Sequence, residues 1–199
     1  MVPTVDRKTY SYADYLALTE QLVAEGKTTG PNQSEAFAHY TKMNLVRMQR
    51  LDKTIHLNPD LVQAVRDLGS RYDWTVITEA WCGDAAQNLP IISALAEMNP
   101  AINLTLVLRD ENLDLMDQYL TNGGRSIPKL LIYDKITGKV VATWGPRPQP
   151  VQQMVMDYKH MDPATKPPYM EFVKEAQKWY NKDKTQTLQR ELLEVLQGI

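Results

Sequence analysis

The sequence predicts an α/β protein, a mixed β-sheet with helices on both faces and helical segments at each end. Three observations predict it. Short apolar runs at 74–78 and 102–108 alternate with stretches of helical period, as parallel crossover units require. The 102–108 run keeps a continuous apolar register, which suggests burial on both faces. Finally, the runs 129–133 and 140–144 are joined through a short polar segment containing Gly138, a hairpin signal.

The elements follow in order. Ser11 precedes Tyr12, Tyr15, Leu16, Leu22 and Val23 on one helical face; Ser11 with Asp14 resembles a capping box, and Gly26 is a natural stop. Tyr10, Tyr12 and Tyr15 read as packing residues of this helix rather than as a ligand cluster. Ser34 caps a second helix carrying Phe37, Tyr40, Met48 and Leu51. The stretch 54–57 is read as a short edge strand, and Asn58-Pro59 as the N-cap and first residue of a helix over 59–68. A strand at 74–78 leads into a helix over 83–98 that contains Pro90. A strand at 102–108 leads into a short helix over 112–120, then a Gly123-Gly124 loop, the hairpin, and a helix over 150–160. The Pro-rich stretch 162–168 is a linker by composition. Beyond it lie two helical faces, Phe172, Ala176 and Trp179, then Leu188, Leu192 and Val195, on one long helix or two short ones that pack on the core.

With 199 residues, 43% of them hydrophobic, the chain is long enough for one sizeable core plus appendages. Its net charge of −2 is nearly balanced, and no basic block suggests a nucleic-acid or membrane-surface partner. His39, His56 and His160 are isolated, and Asp110, Glu111, Asp114 and Asp117 read as a helix-start acid cluster, so neither a metal site nor a cofactor is expected. The N-terminal residues carry Asp6, Arg7 and Lys8 where a leader would be apolar, and no run has transmembrane length; a cytoplasmic protein is the expectation. The single cysteine excludes an intrachain disulfide and fits a reducing compartment. The oligomeric state is not legible, because a dimer stripe and a core stripe at Leu188, Leu192 and Val195 look alike.

That cysteine, Cys82, stands in Trp81-Cys82-Gly83-Asp84-Ala85, between the 74–78 strand and the helix that follows it. Pro90 is eight residues after it, Ile127-Pro128 precedes the hairpin with Pro128 46 residues after Cys82, and Gly145 follows the second hairpin strand. Together these residues resemble the thioredoxin superfamily over roughly 57–160. Thr78-Glu79 before Trp81-Cys82-Gly83-Asp84-Ala85, with Gly123-Gly124-Arg125-Ser126-Ile127-Pro128, look like a bacterial branch of thioredoxin-like proteins. The resemblance implies a three-layer α/β/α fold with a mixed sheet. It divides the chain into a helical N-terminal extension (1–56), a thioredoxin-like domain (57–161), and a linker with a C-terminal helical extension (162–199).

Two departures from the family pattern bear on function. Ala85 stands where the family has its resolving cysteine, and Val76 where thioredoxin has a buried proton-transferring aspartate. Cys82 at a helix start is favoured as a thiolate by the helix dipole, while Asp84 in the same turn opposes it. Arg125 and Arg147 are candidates to offset Asp84. The expected site is an accessible Cys82 as nucleophile, with Trp81, Gly83, Asp84, Arg125, Ile127, Pro128 and Gly145 supporting it or lining a groove for an extended peptide. Two classes of function remain open. One is a monothiol thiol-disulfide oxidoreductase with a protein substrate and an external low-molecular-weight thiol, or a redox sensor using the same sulfur. The other is a redox-inactive module that binds a protein in the same groove.

Overall fold

A computed structural model describes residues 7–199; the first six residues of the charged N-terminal stretch lie outside the described residues. The fold is a three-layer α/β/α arrangement around a four-stranded mixed sheet of order β2-β1-β3-β4. β1 (Tyr72–Thr78) lies parallel to β2 (Leu104–Leu108) and antiparallel to β3 (Lys129–Asp134), which pairs antiparallel with β4 (Val140–Trp144). β1 is central and apolar on both faces: Trp74, Val76 and Ile77 are all essentially inaccessible. β2 lies at an edge, and Tyr10 closes it by exchanging backbone hydrogen bonds with Leu106 at 2.9 and 2.8 Å.

Local chemistry sets the helix boundaries. Ser11 and Asp14 form the capping box of α1 (Tyr12–Ala24), and Gly26 beyond its end has φ +67°. Ser34 caps α2 (Glu35–Thr54), and Asn58 caps α3 (Pro59–Asp67) with Pro59 in the first turn. α4 (Gly83–Glu97) carries Pro90 within a nearly continuous buried surface, and α2 packs along it. α6 (Gln149–His160) follows the hairpin.

Three expectations are corrected. The stretch 54–57 is no strand: Thr54 ends α2, and the Asn58 N–H beyond it donates to the Gln189 side chain at 2.7 Å rather than to a sheet. The helix expected over 112–120 shrinks to α5 (Leu113–Met116), preceded by a single 3₁₀ turn; further on, Asn122 and Gly123 take positive φ in a tight turn closed by Thr121 and Gly124. The strand expected from 102 begins at Leu104.

The C-terminal segment is two helices, α7 (Tyr169–Asp183) and α8 (Gln186–Gln197), separated by Lys184 and Thr185, both with positive φ. Leu188, Leu192 and Leu196 of α8 are buried in the chain's own core against α3 and β4, and the Trp144 indole N–H donates to Glu191 at 2.8 Å. By contrast, no residue of α7 is fully buried; it packs on α6 through Phe172, which stacks on Tyr158 at 4.5 Å. Among the described residues, no helix is long and apolar enough to cross a membrane.

Candidate functional site

The chain leaves β1 at Thr78, crosses Glu79-Ala80-Trp81, and enters α4 with Cys82 as its N-cap residue. The N-terminal helices hold this crossing in place. The Ala80 N–H donates to the Thr29 hydroxyl at 2.9 Å, and its carbonyl accepts from the buried Asn44 amide of α2 at 2.8 Å. Trp81 stacks on Phe37 of α2 at 4.8 Å, with the Arg109 guanidinium 4.8 Å from its ring on the β2 side.

Cys82 is buried, 8% exposed, rather than accessible as the sequence suggested. Its Sγ donates to the Ile127 carbonyl at 3.2 Å and accepts from the Ala85 N–H at 3.5 Å. Burial, and secondly the Asp84 carboxylate, push the thiol from an ordinary 9.0 up to about 12; the Ala85 and Asp84 amides and Arg147 pull the other way without reversing it. The Ile127-Pro128 peptide is cis, as is Gly145-Pro146. Gly145 has φ +110°, and a Cβ there would collide with the Pro128 carbonyl, so these two segments touch only because residue 145 is glycine.

Asp84 is the hub of the site. One carboxylate oxygen accepts from Arg147 Nε at 2.7 Å and the other from the Tyr180 hydroxyl of α7 at 2.7 Å. Arg147 also donates to Gln152 of α6 at 3.0 Å. Of the two arginines expected near the sulfur, Arg147 takes that place. Arg125 sits at the rim with its guanidinium on Asp117, at 2.6 and 2.8 Å.

These groups line a cavity of about 520 Å³ with Cys82, Gly83 and Ile127 on its floor. Its walls include residues the sequence reading had not placed at the site: Tyr40 and Arg47 from α2, Tyr158 from α6, and Tyr169, Phe172 and Tyr180 from α7. The positions 169, 172, 173, 176 and 180 form one face of a helix, so the signal existed, but helical period does not say which surface a face covers.

Glu79 was also missed. It is inaccessible, accepts from the Asp110 N–H at 2.8 Å through one oxygen, and leaves the other without a partner. Burial raises its pKa.

Residues 30–159 match a family model described as thioredoxin. The chain belongs to the thioredoxin family. Two solved structures are similar over nearly the whole chain. One is a protein of unknown function, PA1234, from Pseudomonas aeruginosa, 19% identical with a TM-score of 0.58, covering 95% of this chain and 98% of that one. The other is an HIV epitope-scaffold, 19% identical with a TM-score of 0.56, covering 96% and 99%. At that identity the likeness concerns fold, and it takes in the helical segments at both ends. No curated protein matches the chain.

Proposed function

We propose that this thioredoxin-family protein is a binding protein whose pocket is centred on a neutral Cys82 thiol, not a dithiol oxidoreductase. The observation that carries this reading is the state of the sulfur: buried, donating its proton to the Ile127 carbonyl, and pushed up to about 12. The nucleophile in thiol-disulfide exchange is the thiolate. A thiol titrating there is ionised in about one molecule in 100,000 at pH 7. Ala85 supplies no second thiol and Val76 no buried acid. The Ile127 carbonyl, which an extended peptide would need, is already taken, and α7 walls the approach; both favour a small molecule over a polypeptide. On this reading described residues of the extensions 1–56 and 162–199 build the pocket around the 57–161 core. The protein then represents a bacterial, cytoplasmic, single-cysteine Cys-Gly-Asp-Ala branch of the family.

Thiolate absorbance at 240 nm, wild type minus Cys82→Ser, tests the reading. No Cys82-dependent step is expected below pH 9, and a step between pH 5 and 7 would overturn it.

A second reading has its own support: the Ala85 and Asp84 amides and Arg147 surround the sulfur and would hold a thiolate once α7 moved aside. Cys82 would then attack a disulfide, forming a mixed disulfide and expelling one thiolate. An external thiol would attack that mixed disulfide and regenerate Cys82. Cys82-dependent adducts, trapped from extract under non-reducing conditions and absent with Cys82→Ser, would favour it.

A further inference from the structure

The cavity wall has a distinctive composition. Two stacked aromatic pairs face it, Phe37 on Trp81 and Tyr158 on Phe172, at 4.8 and 4.5 Å. Among its lining residues are four arginines and a lysine but a single acid, Asp84. Both oxygens of that acid are engaged by Arg147 and Tyr180. Arg109 pairs with Asp110 at 2.8 Å and Arg125 with Asp117 at 2.6 Å. Among the described residues, Arg47 and Lys159 have no carboxylate partner.

Lys159 is exposed, so water solvates it. Arg47 is half-buried. One of its nitrogens donates to Asn44 at 2.7 Å, and Asn44 is itself fixed to the Ala80 carbonyl at 2.8 Å, so the guanidinium is held in place. It lies beside the first residue of α4: a Cβ on Gly83 would stand 3.8 Å from Nη1. A guanidinium has five N–H donors, and a partly desolvated one without a counter-charge is unfavourable. Burial, reinforced by Arg50 and partly offset by Tyr40, lowers its pKa.

We propose that this cavity binds a small organic anion with an aromatic body, its carboxylate or equivalent group meeting Arg47 at the start of α4 and its ring lying against the aromatic pairs. The assignment rests on the binding reading of the site given above. The positive end of the α4 dipole adds to the attraction for an anion there. A neutral ligand would leave Arg47 uncompensated, and a cationic one would be repelled by it. The enclosing α7 limits the ligand to a size that about 520 Å³ can hold.

The test uses two probes of one shape, 1-naphthoate and the neutral 1-naphthylmethanol, titrated calorimetrically, with the Trp81 indole N–H resonance reporting the location. Wild type is expected to bind naphthoate about tenfold more tightly than the alcohol, as one hydrogen-bonded charge pair provides. Arg47→Met is expected to lose that preference and keep its affinity for the alcohol. Arg47→Gln, which retains a donor for Asn44, stands in if circular dichroism shows that methionine disturbs α2. Equal binding of the two probes by wild type, or a preference that survives loss of the Arg47 charge, overturns the anion assignment while leaving the binding reading intact. Failure of both probes at millimolar concentration, or binding that leaves the Trp81 resonance unmoved, overturns the cavity itself as the binding site.

Discussion

Replacing Tyr180 with phenylalanine removes the hydroxyl that ties α7 to the start of α4 and leaves the ring. The lost bond is a neutral donor on a carboxylate at 2.7 Å, in a setting where burial and then Asp84 hold the phenol well above its ordinary range. Hydrogen bonds to charged groups contribute about 1.5–3 kcal/mol. The Asp84 side chain is 20% exposed and keeps its Arg147 partner, so the lower part of that range applies, about 1.5–2 kcal/mol. Since α7 has no fully buried residue, its detachment is a local opening rather than global unfolding. The population of opened molecules should therefore rise about 10- to 30-fold. The assay is alkylation of Cys82 by iodoacetamide at pH 8 in native buffer, followed by mass spectrometry, because the buried thiol reacts through the opened state. Where reclosing outpaces alkylation, the rate follows the open population. Lys178→Ala, on the exposed side of the same helix, should leave the rate unchanged. A Tyr180→Phe rate within twofold of wild type, in a folded protein, would refute α7 as the cover over the sulfur.

Other expectations follow from the same geometry. The folded-state pKa of Cys82 is raised from 9.0 to about 12, so the stability its neutral burial provides is complete below pH 9 and lost as pH rises towards 12. In urea titrations Cys82→Ala should gain on wild type by about 1.4 kcal/mol per pH unit across that window. Glu79 has a raised pKa in the folded state, so its contribution is present at acid pH and lost as pH rises through the folded value. Glu79→Gln should therefore be more stable than wild type at pH 8, with an advantage that shrinks as pH falls towards 4.5. Asp84→Asn should lower the Cys82 pKa only in part, since burial is its larger cause; alkylation profiles that bring it to 9.0 or below would show that the Asp84 charge, not burial, keeps the thiol neutral. Gly145→Ala should cost about 2–4 kcal/mol by thermal unfolding, combining a positive φ with a clash on the Pro128 carbonyl.

Much of the fold was legible because its signals are local. Ser11 with Asp14, Asn58 with Pro59, and the Gly138 hairpin each specify a boundary through contacts spanning a few residues, and each boundary stands where the sequence puts it. Cys82, Pro128 and Gly145 were legible as a group because the family resemblance carries their spatial relation. The companions of Cys82 were not. Arg125 and Arg147 look equivalent in sequence, and only the turn after Gly145 decides that Arg147 meets Asp84 while Arg125 meets Asp117. The stretch 54–57 looked like a strand because its partner in space, Gln189 of α8, which donates to the His56 carbonyl, is remote in sequence. The cavity over Cys82 is walled by α7, whose stripe was visible but whose resting place was not.

Asp84 explains why these features belong together. As an anion beside a thiol it disfavours the thiolate directly. Through the Tyr180 hydroxyl it also secures α7, which walls the cavity over the sulfur, and burial is the larger reason the thiol stays neutral. It further engages Arg147, the one cation among the groups that pull the thiol down. Three effects of one carboxylate thus act in the same direction. A site selected for a reactive monothiol would gain from reversing any of them, whereas a site that holds a ligand over an inert floor gains from all three. Arg47, held beside the start of α4 and without a carboxylate partner among the described residues, is then the half-buried charge the cavity offers to what enters it.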